Sequence, residues 1–266
     1  MIERSADGFR QLAGLSTEEC AAVRALLGDH PVFRLYFEAG LDAARAGERN
    51  RSVLLGRDGA GAVLAIEFDD VTVRTVVGRI AADELAAVCR TGRRTELHVA
   101  EALRPKVLGL CDGQVLADQT IRYYARPVGI EPPPDPRCRR LTAGDYETAA
   151  ALFRAHHPST IFSRWMLDDV LIGLFEGGRL AACGGVITRH AGLSTVNLGN
   201  FLTVPEHRGR GLARVVMAAV LGSLAAAGIR LATLGATAEN RAACRSYEAV
   251  GFELIDQRAE LVVGPG

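Results

Sequence analysis

The sequence lacks a surplus of charge of either sign: 31 Lys and Arg stand against 31 Asp and Glu, a formal net charge of zero. A chain without a basic footprint offers nucleic acid or an anionic membrane surface no electrostatic grip, so neither partner is expected. It also lacks any uninterrupted apolar run of about twenty residues, which argues against a membrane-spanning helix. The opening Met1-Ile-Glu-Arg-Ser-Ala-Asp7 is polar and has no apolar signal core, so a cytoplasmic location is expected. The cysteines, at positions 20, 89, 111, 138, 183 and 244, form no CxxC pair, and reduced thiols are the expectation. The histidines include the pair His156-His157 but no HExxH, and no metal is expected. What is present is 266 residues that are 48% hydrophobic, enough for one large core or two small ones.

Along the chain, Ser16-Thr-Glu-Glu19 reads as a capping box opening a helix to about Gly28, and Pro31 suits the first turn of a second helix through Ala46. Strands are predicted at Val53–Leu55, Ala62–Phe68 and Val71–Val77, with Arg57-Asp-Gly-Ala-Gly61 as a hairpin turn. Asp83 should cap a helix through Cys89; a short helix near Pro105 lies between strands at Leu97–Ala100 and Thr120–Tyr124. Glu131-Pro-Pro-Pro-Asp-Pro136 holds four prolines in six residues and marks a stiff spacer between domains at 1–130 and 137–266. Beyond it come a strand at Arg139–Leu141, a helix Tyr146–Ala155 capped by Asp145, and a helix Phe162–Val170 carrying the single Trp. A hairpin Leu171–Phe175 and Leu180–Thr188 follows, then the strand Ser194–Val204, a helix to Ala227 and the strand Leu231–Gly235. A helix Glu239–Val250 and two strands, Phe252–Ile255 and Glu260–Val263, complete the chain.

The stretch Phe201-Leu-Thr-Val-Pro-Glu-His-Arg-Gly-Arg-Gly-Leu-Ala213 organises the second half. Pro205 has no N–H for a sheet ladder and ends the strand. Arg208-Gly-Arg-Gly211 turns tightly into a helix, exposing backbone N–H groups at the positive end of the helix dipole, where a phosphate or pyrophosphate is held readily. It is not a dinucleotide loop, since Arg214 stands where a third Gly is needed.

Arg208-x-x-Gly211-x-Ala213 resembles the acetyl-CoA pyrophosphate loop of the GNAT superfamily of N-acyltransferases. Asn240 and Tyr247, seven apart and followed by Gly251-Phe252, resemble the second half of that family's signature. The resemblance covers about residues 137–266. It implies an α/β fold of the α+β kind, with a mixed, mostly antiparallel central sheet flanked by helices. The first half repeats the same element order, so this fold is expected twice, the first copy degenerate; an unrelated α/β domain is the other reading. Where the loop should fall, the first half has Val77-Gly-Arg-Ile-Ala-Ala82 with a single Gly, and no cofactor is expected there.

By resemblance, acetyl-CoA is the co-substrate. Gly209, Arg210, Gly211, Leu212, Ala213 and Arg214, with Arg208, would receive its pyrophosphate, and Phe201, Leu202 and Thr203 its pantetheine arm. Asn240 and Tyr247 would face it from the next helix. Tyr247 would protonate the leaving thiolate. Many relatives carry a Glu eight residues before the Pro; here that position is Asn197, which positions a water but takes up no proton. His156, His157, His190, Glu206 and His207 are further base candidates, and a neutral amine needs none. Cys244 shares the helix face as a small core residue. The expected function is acetyl transfer to a small-molecule or peptide amine by direct attack in a ternary complex, in a monomer. The alternatives are a non-catalytic acyl-CoA-binding or regulatory module, and a transferase of longer acyl groups.

Overall fold

The structure is a computed structural model and describes residues 10–11, 16–48, 50–90, 92–111, 113–158 and 160–265. The polar opening at 1–7 lies outside them. In chain order the elements are β1 (Arg10–Gln11), α1 (Thr17–Leu27), α2 (Pro31–Arg45), β2 (Arg51–Leu55), β3 (Gly61–Glu67), β4 (Thr72–Gly78), α3 (Ala82–Cys89), β5 (Thr95–Ala100), α4 (Arg104–Leu110), β6 (Val115–Pro127), β7 (Cys138–Arg140), α5 (Tyr146–His156), β8 (Leu171–Glu176), β9 (Arg179–His190), β10 (Thr195–Thr203), α6 (Leu212–Ala226), β11 (Leu231–Thr237), α7 (Arg241–Glu248) and β12 (Glu253–Val263). Two compact units share them. One runs to Arg122 and takes in Thr237–Glu239 and the stretch from Asp256 onward; the other comprises Tyr123–Ala236 and Asn240–Ile255. Among the described residues no helix is long and apolar enough to cross a membrane, and the six cysteines are unbridged.

In the first unit the strand order is β1-β2-β3-β4-β5-β12. The β2–β3 and β3–β4 pairs are antiparallel hairpins, β4 runs parallel to β5 over Thr72–Thr75, and β12 closes on β5 antiparallel from Arg258 to Val263. The core packs inward-facing Val63, Val76, Leu97, Val99 and Leu261 beneath Leu85 and Val88 of α3. The capping box forms as the sequence implies: Ser16 Oγ accepts from Glu19 N at 3.1 Å and Glu19 reaches back to Ser16 N. Asp83, however, is not the cap of α3. The N-cap is Ala81, which has no side-chain acceptor, and Asp83 instead pairs with Arg57 on the surface. The carboxylate of the buried Glu84 takes the cap's place, accepting from Ala81 N at 3.1 Å and Arg57 N at 2.8 Å.

The second unit has the order β11-β10-β9-β8-β7, with β6 beside β11. Helix α6 lies over β8, β9 and β10, and its Leu212, Val216, Met217 and Val220 pack on Val186, Val196 and Leu198. The helix expected at Phe162–Val170 is only a 3-10 turn, Arg164–Asp168. Packing overrides helical spacing there: Phe162 stacks on Tyr146 and lies 4.6 Å from the Phe153 ring, while Arg164 sits over Tyr146. Asp145 makes no side-chain cap on α5; its carboxylate accepts from Thr142 and binds Arg139. The two closing strands expected at 252–255 and 260–263 are one strand, β12. Its polar middle reads as a break, but Asp256 binds Arg258 at 2.7 Å and Arg258 pairs with Ala100.

The element order of the first unit, two helices, three antiparallel strands, a helix, a strand, a helix and a strand, recurs from α5 to β12 with the 3-10 turn in place of the second helix. The parallel expected from the sequence is present.

Candidate functional site

Strand β10 has two different edges. Its parallel pairing with β11 runs from Thr195–Leu231 to Leu198–Leu234 and stops, although β10 continues to Thr203. On the other edge β9 stays with it as far as Ala182, through register shifts between Asn197 and Leu198 and between Gly199 and Leu202. The second shift holds Asn200 at φ 56°, a left-handed conformation that Asn adopts more readily than most residues. Its Nδ2 donates to Ile161 O at 3.2 Å, which ties the bulge to the segment before the 3-10 turn. A bulge at this point re-aims the strand and ends pairing on one side. The result is a fork whose inner edge, among the described residues, has no strand partner.

Asn197 lies at the crotch of the fork. It is buried, and its Nδ2 donates to Thr233 Oγ1 at 3.0 Å; Thr233 in turn donates to Val196 O at 3.1 Å. The side chain thus joins β10 to β11 just before they part. Phe201, further along, lies flat against Gly184 of β9. A Cβ at Gly184 would fall 2.2 Å from Phe201 Cδ1, so only Gly permits this approach. Leu202 is buried among Leu141, Phe153 and Leu171, and its backbone bonds the Cys183 thiol on the β9 side.

Past Thr203 the chain makes a 3-10 turn at Pro205–His207. Arg208 Nε donates back to Thr203 O at 3.0 Å, closing the turn onto the strand end. Gly209 and Gly211 both sit at φ 76°, and Gly211 is the N-cap of α6. Among the described residues no protein acceptor meets the backbone N–H groups of Gly209, Arg210, Gly211, Leu212 and Ala213. They gather at the helix N-terminus with no acidic residue in the first turn. Arg214 folds over them, its Nη2 lying 3.1 Å from the position of a Cβ on Gly211.

The loop is anchored from the β8–β9 hairpin. Glu176 accepts two bonds from Arg210, at 2.6 and 2.8 Å, with His207 Nδ1 at 3.0 Å and Arg137 Nη1 at 2.9 Å. The Arg210 guanidinium, with His207 and Arg137 beyond it, holds the Glu176 carboxyl below the usual carboxylate range. No spacing rule in the sequence connects Glu176 to Arg210.

Helix α7 supplies the opposite wall. Asn240 is its N-cap, with Oδ1 accepting from Ala243 N at 3.1 Å, so it stands before the helix rather than along its face. Tyr247 is buried among Tyr124, Phe201 and Phe252, with ring centroids 6.0, 6.1 and 6.4 Å away. Its hydroxyl meets no protein group among the described residues, and burial pushes the phenol above its ordinary value. Cys244 is a core residue of the same cluster. The structure therefore brings Phe201, Thr203, the 208–214 loop and Tyr247 into one unit around the fork. His190 caps a 3-10 turn through Leu193 N, His207 belongs to the Glu176 cluster, and His157 and Glu206 are exposed.

Comparison with known proteins agrees with this fold. A family described as FR47-like protein matches residues 171–261, from β8 into β12. A solved Drosophila protein shares 17% identity over 98% of this chain and 99% of its own, with a TM-score of 0.70. A GCN5-related N-acetyltransferase from Sphaerobacter thermophilus shares 16% over 99% and 98%, with a TM-score of 0.61. A tandem GNAT protein from the clavulanic acid biosynthesis pathway shares 13% over 97% and 98%, with a TM-score of 0.62. No protein of curated function matches the sequence. The fold is that of the GNAT superfamily, a mixed sheet flanked by helices.

Proposed function

We propose that the half of the chain after the spacer Glu131–Pro136 transfers an acetyl group from acetyl-CoA to an amine, by direct attack in a ternary complex. The observation that carries this reading is the fork: pairing between β10 and β11 ends at Leu198–Leu234, beside an N-terminal helix turn with unmet amides and the hydroxyl of Tyr247.

The residues fit the group. The amides of Gly209–Ala213 and the Arg208, Arg210 and Arg214 side chains would hold the pyrophosphate. The open backbone edge of Phe201, Leu202 and Thr203 would take the amides of the pantetheine arm as a missing strand. The thioester supplies an activated acetyl group. As the amine nitrogen bonds to the acetyl carbon and the C–S bond breaks, Tyr247 gives its proton to the departing sulfur. A raised phenol keeps that proton until the thiolate forms. Asn197 and Thr233 fix where the fork opens; an ammonium acceptor would first give its extra proton to solvent, and the N–H proton released as the amide forms would return through solvent to Tyr247.

The half before the spacer has no equivalent capacity in this reading. The N-terminus of α3 is already filled by the Glu84 carboxylate, an internal anion where a phosphate would sit. Its role would be to support the other half. Small amines and peptide amines both suit the acceptor side, in a cytoplasmic monomer.

Calorimetric titration with acetyl-CoA tests the reading, beside a Gly211→Glu variant that places bulk and negative charge in the loop. Binding by the parent alone, followed by amine-dependent CoA release, supports it; no binding by the parent overturns it. One observation favours the second reading, a non-catalytic acyl-CoA binder: Asn197 is occupied by Thr233. That reading requires tight binding without turnover for any amine or acyl-chain length.

A further inference from the structure

The first unit holds a group of side chains that the acyl-transfer reading does not use. Glu96 and His98 point to one face of β5, being two residues apart, and Glu260 of β12 stands directly opposite His98 in the antiparallel register. His98 Nε2 lies 2.8 Å from Glu96 Oε1 and 3.2 Å from Glu260 Oε2. His98 and Glu260 are buried, and Glu96 retains a solvent-facing side. All three potential ligand atoms fall within 4.8 Å of one another.

One imidazole nitrogen faces two carboxylates here. A single N–H cannot be directed at both oxygens, so a proton leaves the second oxygen poorly served, and even a protonated imidazole leaves one negative charge in excess. Two carboxylates and one imidazole form a complete charge match for a dication. The surroundings support such a centre. Gln119 Nε2 donates to the far oxygen of Glu260, fixing that carboxylate from behind as outer-sphere partners of metal ligands do. Tyr36 of α2 is half-buried and lies in the field of both carboxylates, yet its hydroxyl meets no protein group among the described residues. A hydroxyl held near two carboxylates without bonding to either fits a site with a further position for water.

We propose that Glu96, His98 and Glu260 bind a divalent transition metal, zinc foremost, in the first unit. Nitrogen and carboxylate oxygen are borderline and hard donors that zinc, cobalt and manganese accept, and three protein ligands leave a fourth position for water. The metal replaces the proton on His98 Nε2, which passes to solvent. The bound ion joins β5 to β12, two strands far apart in the sequence, and so adds a cross-link to the sheet of the first unit.

The experiment uses the full chain, stripped with a chelator and dialysed against Zn2+, with metal content and thermal melting measured; Co2+ then serves as a spectroscopic probe. The expected result is one metal per chain, a raised melting temperature, and a Co2+ spectrum free of thiolate charge-transfer bands. Glu96→Gln, at the least buried of the three ligands, keeps the side-chain shape. It should fold as the parent does without metal, while its Zn2+ affinity drops about a hundredfold. His98→Asn should lose binding as well. Failure of the parent to retain Zn2+, equal retention by Glu96→Gln, or a thiolate band in the Co2+ spectrum would each overturn the proposal. The first outcome leaves a protonated histidine between two carboxylates; the others place the metal at a cysteine or a surface group.

Discussion

Tyr247 meets Phe201 edge to face, with ring centroids 6.1 Å apart, at the place where β10 has already left β11. The contact puts a phenol from a helix beside the stretch of β10 that β11 no longer covers, where the proposed acyl transfer would need it. Tyr247→Phe removes one oxygen and keeps the packing. It should leave acetyl-CoA affinity within about twofold and reduce turnover by roughly 100-fold or more, the usual contribution of a positioned general acid. Steady-state rates beside calorimetric affinities check this; equal loss of both would mean that Tyr247 shapes the site rather than supplying a proton.

Gly184 is the floor under Phe201. Gly184→Ala should force the ring off its seat and destabilise the second unit by about 1–3 kcal/mol, as overpacking does. In a double-mutant cycle, Phe201→Ala should relieve most of that loss. Chemical denaturation of the four proteins gives the coupling; additive effects would show that the ring and the glycine are independent.

The Glu176–Arg210 anchor has a pH signature. The folded carboxyl titrates below its ordinary value, so the anchoring is fully present above that value and is lost as pH falls through the lower folded one. Acetyl-CoA affinity should therefore stay level down to the ordinary carboxylate range of about 4.3 and weaken beneath it. Glu176→Gln should flatten that acid limb and weaken binding modestly at neutral pH. An acid limb unchanged in the variant would assign it to another group.

Glu84 should matter for stability and not for chemistry. Glu84→Ala removes the acceptor of the Ala81 and Arg57 amides, at a cost of about 1 kcal/mol, as for a lost helix cap, because both residues are exposed and water can replace the carboxylate. Urea unfolding should record the loss, with acetyl-CoA affinity of the folded protein unchanged. A gain of a second acetyl-CoA site in Glu84→Ala would instead show that the carboxylate blocks an otherwise competent helix terminus.

The α6 loop was legible because its information is local: a proline to end the strand, two glycines for positive φ, and a helix that follows at once. Tyr247 was legible by its distance from Asn240, but Asn240 itself was misplaced onto the helix face because a cap and a first-turn residue differ by one position. Segments whose shape comes from packing were read less well. Aromatic stacking on α5 holds the Trp165 segment to a 3-10 turn, and pairing with β5 carries β12 straight through Asp256–Arg258. Glu176–Arg210 and Glu96–His98–Glu260 were invisible for the same reason. Their members meet through sheet register and loop folding, and local patterning carries no trace of that.

The closing strand of the first unit comes from the far end of the sequence, and this orders events at the ribosome. Everything through β5 emerges before the second unit, yet the backbone edge that will receive Arg258–Val263 stays unpaired until the residues of that second unit have been made. A nascent sheet with an open edge is a template for wrong partners. Translation speed through the second half thus sets how long the first half waits exposed, and slow codons or pauses there should lower the yield of soluble protein more than equal pauses before β5.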